Sequence, residues 1–117
     1  MSEIDMRELM ISIPDYFNAE KAKGVSAVVQ CMFSGEQASD WVIKIHDQNC
    51  EVEEGKTANP DLTIKSDAED GVQLLTGKMD AMRAFMLGKV KVYGDLALGM
   101  KLVNFCGRYL FRKPSIK

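Results

Sequence analysis

His46 and Cys50 come nearest, among the residues of this chain, to a reaction centre in type and spacing. His46 is the single histidine, and Cys31, Cys50 and Cys106 are the three cysteines. A His-x-x-x-Cys run helped by Asp47 could begin a zinc site. The two ligands, however, flank a tight turn with no further cysteine nearby, and structural zinc takes four. A nucleophilic thiol at Cys31 or Cys50, with His46 as its base, needs a cation or a helix N-terminus to lower its pKa. The sequence indicates neither. Glu51 and Glu53, with Glu54 beside them, alternate as the solvated face of an edge strand does. Gly77, Gly88 and Gly94 form neither a dinucleotide fingerprint nor a P-loop. The chemistry-bearing residues therefore point to no catalysis, no metal and no cofactor.

What stands out instead is apolar. Residues 71–106 contain three short elements rich in Met, Leu and Phe, separated by Gly77, Gly88 and Gly94. The middle one puts Met79, Met82, Phe85 and Met86 at helical spacing on one face. Thioether side chains are unbranched and polarisable, so they suit surfaces that must fit irregular apolar shapes. This stretch is built to hold something greasy, not to react with it.

Composition sets the outer limits. A chain of 117 residues is one domain on size, spanning 1–117. Hydrophobic and charged fractions of 46% and 27% are ordinary for a soluble globular protein, and a net charge of -2 gives no basic footprint for nucleic acid. Glu3, Asp5 and Glu8 sit where a signal peptide would need positive and apolar residues. No apolar run approaches the ~20 residues of a bilayer span. An odd number of widely spaced cysteines favours a reducing compartment, so the reading is cytoplasmic. Beyond Asp95 every charged side chain is basic: Lys101, Arg108, Arg112, Lys113 and Lys117. That pattern fits cations at a helix C-terminus followed by a flexible tail over 108–117. The sharper, competing reading is a membrane contact, with Tyr109, Phe111 and Arg112 as interfacial anchors.

The elements that must position these residues follow from punctuation. Leu9, Met10 and Ile13 mark a helix over 3–13, which Pro14 breaks or restarts. Asn18 caps a short helix over 19–23, with Gly24 at its C′ position. Residues 26–34 alternate Val29, Cys31 and Phe33 with Val28, Gln30 and Met32 in a strand. A second strand carries Trp41, Ile43 and Ile45, and Asp47–Asn49 turns it into a third over 50–54. Residues 61–65 make a fourth strand. Ser66 and Glu69 then form a capping box for a helix ending at Gly77. Asp80 caps the Met-rich helix, Lys89–Tyr93 is a fifth strand, and a last helix runs over 95–111. Leu96, Leu98, Leu102, Val103, Phe105, Cys106, Tyr109 and Leu110 cover far more than the ~100° stripe of a surface helix. Such a helix must bury two sides.

Five features in this order resemble the sterol carrier protein 2 (SCP2-type) lipid-binding domain. They are Phe17-Asn18-Ala19-Glu20-Lys21-Ala22-Lys23-Gly24, the strand 28–35, the strand opening with Trp41, and Pro60-Asp61-Leu62-Thr63-Ile64 before an acidic helix. The fifth is Gly77-Lys78 through Ala84-Phe85 and Gly88-Lys89-Val90-Lys91-Val92 to Gly94-Asp95. The resemblance covers about residues 5–106, and the 77–95 pattern is its most specific part. It implies an α+β fold: a five-stranded, mostly antiparallel sheet covered on one face by helices, with an internal hydrophobic cavity. It also implies non-catalytic binding of fatty acids, acyl-CoA, phospholipids, sterols or isoprenoids. The chain ends Pro114-Ser115-Ile116-Lys117 instead of in a Ser-Lys-Leu peroxisomal address, which points to a free-standing cytoplasmic member.

The expected apolar lining is Val29, Cys31, Phe33, Trp41, Ile43, Val52, Ile64 and Val92 from the sheet. From the helices it is Leu75, Met79, Met82, Phe85, Met86, Leu98, Leu102 and Phe105. For any one of these residues plain core packing is the competing role. An empty pocket of even ~200 Å³ would cost on the order of 5 kcal/mol, comparable to a domain's net stability, so an occupant is expected. The expected partner is a lipid or fatty acyl ligand exchanged with membranes through transient contact, and not nucleic acid. The competing function is an accessory or dimerisation module, docking a partner protein or a second copy through the same apolar face.

Overall fold

The computed structural model describes residues 5–17, 19–20, 22–76 and 78–102. Helix α1 (Met6–Tyr16) is followed by strands β1 (Ala27–Ser34), β2 (Ser39–His46), β3 (Asn49–Glu54) and β4 (Leu62–Asp67). Then come α2 (Ala68–Leu75), α3 (Ala81–Met86), β5 (Val90–Gly94) and α4 (Leu96–Leu102). One five-stranded sheet has the order β3-β2-β1-β4-β5. Only β1 and β4 pair in parallel; the other three pairings are antiparallel, so the expected α+β sheet is present.

Alternation along the strands decides the two faces. Val29 sits opposite Ile43 and Leu62, Cys31 opposite Trp41 and Ile64, and Ile64 opposite Val92, so these side chains share the inner face. Helix α1 buries Met6, Met10 and Ile13, at helical spacing, into a cluster with Val29, Cys31, Phe33, Trp41, Ile43 and Ile45. Helix α2 packs on β1 and β4, α3 on β5, and α4 on β4 and β5. Gly71 of α2 lies so close that a Cβ there would meet the Phe33 ring at 2.6 Å and Met6 Cε at 3.3 Å.

The outer face is sealed differently. After β3 the chain must cross back over β2 to reach the far side of β1, and residues 55–61 make that crossing. Gln30, buried in mid-strand, holds it down. Its Nε2 donates to the carbonyls of Trp41 and Gly55 at 3.0 Å, and its Oε1 accepts from Thr57 N at 2.8 Å. Asp61 ends the crossing: its Oδ2 accepts from Val28 N and its own N donates to Val28 O, both at 2.8 Å.

Four local expectations change. Pro14 lies inside α1 instead of ending it. In the last turn its ring removes one bond to Met10 O, and Phe17 N closes the helix on Pro14 O. Among the described residues of 19–25 the backbone makes three i→i−3 bonds, Ala22 to Ala19, Lys23 to Glu20 and Val25 to Ala22, the bonding of turns where a helix was expected. Asn18 lies outside the described residues, and Gly24 does take the positive φ of 80° expected of it. The cap of α2 is Asp67, whose carboxylate accepts from Glu69 N at 3.0 Å, while Ser66 stays in the strand. The β2–β3 turn is two residues, Asp47 and Gln48, both at positive φ, the geometry that matches the strands' own twist.

Two substitutions test this framework. Gln30→Met keeps the volume but strands the Thr57 amide and the Gly55 carbonyl, and should lower stability by about 2–4 kcal/mol in urea unfolding. An unchanged midpoint would show that the crossing is held elsewhere. Gly71→Ala would raise helix propensity by ~1 kcal/mol in an open helix. Against the Phe33 ring it should instead destabilise by roughly 1–3 kcal/mol, so the sign of the change decides.

Candidate functional site

The sequence-predicted lining residues fall into three groups on the folded chain. Val29, Cys31, Phe33, Trp41 and Ile43 are buried at 0–8% exposure, and the buried faces of α1 belong to the same cluster. Trp41 is anchored by its Nε1, which donates to Ser39 Oγ at 2.8 Å, and Arg7 stacks 5.8 Å above its ring while pairing with Glu54. The second group, Val52, Ile64, Leu75, Met79 and Val92, is half-buried. The third, on α3, is open: Met82 and Phe85 are 42% exposed and Met86 is 76% exposed. Leu98 is buried, and a Cβ added at Gly99 beside it would touch Leu62 and Val92. The side chain of Leu102 and all of Phe105, Tyr109, Phe111 and Arg112 lie outside the described residues.

Sequence reasoning expected a single lining and did not assign Met6, Met10 and Ile13 of α1 to it. Their spacing over one helical face was the available signal. The result is a graded interior. Under α1 the side chains of Val29, Trp41, Ile43 and Ile45 are closed by packing, with Cys50 and Val52 of the edge strand β3 half-buried, and toward β4, β5 and α2 the apolar side chains Ile64, Val72, Leu75, Met79 and Val92 also keep partial exposure.

A half-open notch of about 300 Å³ lies at the end of the sheet, lined by Gly24, Val25, Ser26, Asp61, Asp95, Ala97, Leu98 and Lys101. Its carboxylates are engaged with backbone: Asp61 holds Val28 N, and Asp95 Oδ1 accepts from Leu98 N at 3.2 Å. Asp95 N in turn donates to Asp61 O at 3.1 Å. This notch joins the start of α4 to the start of β4.

The reactive side chains are kept apart. Ile45 pairs with Cys50 and His46 with Asn49, so alternation sends Cys50 to the inner face and His46 to the outer. Burial pushes the Cys31 thiol up to about 12. Burial, and then the charge of Glu51, push Cys50 up to about 11. Neither is a nucleophile near neutrality. Among the described residues no group of three His, Cys, Asp or Glu could hold a metal ion. Also among them, no helix is long and apolar enough to cross a membrane.

A mixed sheet with this strand order and helices on one face defines an α+β fold with an apolar interior. The SCP-2 sterol transfer family model matches residues 12–107, and the chain belongs to that family. It is 30% identical over 104 residues to hydroxysteroid dehydrogenase-like protein 2 of Xenopus tropicalis, covering 88% of this chain and 25% of that protein. The chain thus spans about a quarter of the length of such relatives. Among solved structures it resembles the sterol carrier protein domain 2 of Helicoverpa armigera, with a TM-score of 0.70, 26% identity, and coverage of 95% and 89% of the two chains. It also resembles sterol carrier protein 2 of Aedes aegypti, solved as a complex with palmitate, with a TM-score of 0.68, 18% identity, and coverage of 88% and 94%.

The thiols give a direct check on the closed half of the interior. Both are raised above their ordinary 9.0, so the neutral thiol is the folded form. The stability linked to them is whole below about pH 9 and is lost as pH climbs through about 11 to 12. Peptide-resolved iodoacetamide labelling at neutral pH should modify Cys31 no faster than the chain unfolds, with labelling and loss of stability both growing above pH 9. Rapid labelling of native Cys31 would contradict the packing under α1.

Proposed function

We propose that this chain binds a fatty acyl chain or a related apolar lipid, without catalysis, in the space bounded by the inner face of β4 and β5 and by α2, α3 and α4. One observation carries the reading: Met6, Met10, Ile13, Val29 and Trp41 are buried, whereas Ile64, Val72, Leu75, Met79 and Val92 toward β4 and β5 are half-buried, as Cys50 and Val52 are on the β3 edge. A soluble fold gains nothing from leaving such side chains half open unless something apolar covers them. Family membership and the palmitate complex of the Aedes aegypti neighbour support the same occupant. Methionine at position 79 suits a ligand of variable shape.

Exchange of that lipid with membranes, from a cytoplasmic location, belongs to the same proposal. Tyr109, Phe111 and Arg112 are the C-terminal candidates for contact. A second reading is favoured by the relatives' length. Where this domain occupies a quarter of a longer protein, a separate copy could serve a partner enzyme as an accessory module, or pair with itself.

Material purified without detergent should release a fatty acid or phospholipid on denaturing mass spectrometry. Saturation at ~100 times the dissociation constant should add about 2.7 kcal/mol of stability, a rise of several degrees in Tm. Met79→Asp should weaken binding of a fluorescent acyl probe at least tenfold while leaving the far-UV spectrum intact. Absence of bound lipid, together with an unshifted Tm across a panel of acyl chains, would sink the proposal. Light scattering of delipidated protein decides the second reading by a concentration-dependent mass.

A further inference from the structure

The sheet ends in two edges of opposite charge. β3 and β5 are its outermost strands, and among the described residues no other segment makes a backbone hydrogen bond to the free side of either. Glu51 stands opposite Lys44 and Glu53 opposite Val42, so β3 turns two carboxylates to the outer face. Lys91 stands opposite Lys65 and Tyr93 opposite Thr63, so β5 turns a cation to that same face, and Lys89 lies two residues before it. Glu51, Glu53, Lys89 and Lys91 are all exposed. Glu53 reaches Lys44 at 3.7 Å, but among the described residues Glu51, Lys89 and Lys91 have no ion-pair partner. The inner side of the same two edges is apolar and incompletely covered. Cys50 and Val52 of β3 and Val92 of β5 are half-buried. The helix over each edge adds to this: Ile11 of α1, which packs on β3, is 54% exposed, and Met82, Phe85 and Met86 of α3, which packs on β5, are exposed as well.

We propose that the chain assembles head to tail, the β3 edge of one copy adding to the β5 edge of the next. An antiparallel register that sets Glu51 against Lys91 also sets Glu53 against Lys89, Cys50 against Val92 and Val52 against Val90. Strand alternation then puts acid against base on one face and apolar against apolar on the other. Backbone groups left open along both edges find partners in the same step. Like edges repel: β3 on β3 brings glutamates together, and β5 on β5 brings lysines together. The charges that guard each edge against its own kind therefore select the opposite edge. Such a contact is heterologous, so assembly continues past two copies unless a ring closes. The inference deepens the self-pairing reading and rests on it, and it draws nothing from the lipid-holding one.

Sedimentation velocity of the full chain at low salt should show a mass that grows with concentration beyond two copies and falls back toward a single chain as salt screens the edges. Glu51→Lys with Glu53→Lys, and separately Lys89→Glu with Lys91→Glu, should each weaken association roughly tenfold or more by setting like charges opposite each other. All four positions are exposed, so the far-UV spectra should not change. Mixing the two variants makes every contact complementary again and should restore the parent's behaviour. A chain carrying all four changes, with its edge charges exchanged, should also associate as the parent does. A parent that stays a single chain at low salt would remove the self-pairing reading together with this one. A mass that rises but ignores both charge reversals, stops at two copies, or is not restored by mixing overturns this inference alone.

Discussion

The inner face of a five-stranded sheet is wider than one helix can cover, and the rest of the structure follows from that mismatch. Strands about 4.8 Å apart make a face ~20 Å across, while a helix with its side chains is about 10–12 Å thick. Helix α1 covers one side, driving Met6, Met10 and Ile13 to 0–1% exposure. The remaining width, over β4 and β5, falls to three short helices of eight, six and seven described residues. Neither α2 nor α3 is long enough to be stable alone. They are placed by caps at Asp67, Asp80 and Asp95 and by close approaches such as Gly71 to Phe33. A roof that includes pieces as short as α2 and α3 leaves apolar side chains partly open where a single long helix would close them.

The outer face needs no helix because a loop does the work. One buried glutamine satisfies three backbone groups of its neighbours, and no buried side-chain polar atom among the described residues lacks a partner. Gln30 thereby allows β4 to lie parallel to β1, the single parallel pairing in the sheet. Both β4 and β5 hang from that pairing.

The sheet was legible in the sequence because alternation and turn residues are local signals. Val29, Cys31 and Phe33 along one strand needed no tertiary information, nor did a turn beginning at Asp47, although it proved one residue shorter than the Asp47–Asn49 expected. The α2 cap slipped by one residue because Ser66 and Asp67 are both good caps, and strand pairing to β1 through Asp67 decided between them. Pro14 was misjudged because its effect depends on how much helix remains beyond it. The division of the lining was not legible. Trp41 and Val92 look alike in a pattern of alternating apolar residues, and only the position of α1 makes one core and leaves the other half open. Gln30 was visible as a polar residue in an apolar strand, but its partners lie 11 to 27 residues away.

The claim on which the account turns is that an acyl chain occupies the open half of the interior and not the closed half. Isotope-filtered NMR with carbon-13-labelled palmitate measures this directly through contacts to side-chain methyl groups. The account predicts contacts from the hydrocarbon to Ile64, Val72, Leu75, Met79 and Val92, and none to Met6, Met10 or Ile13. Contacts confined to the α1 methyls, or no intermolecular contacts from a saturated sample, would contradict it.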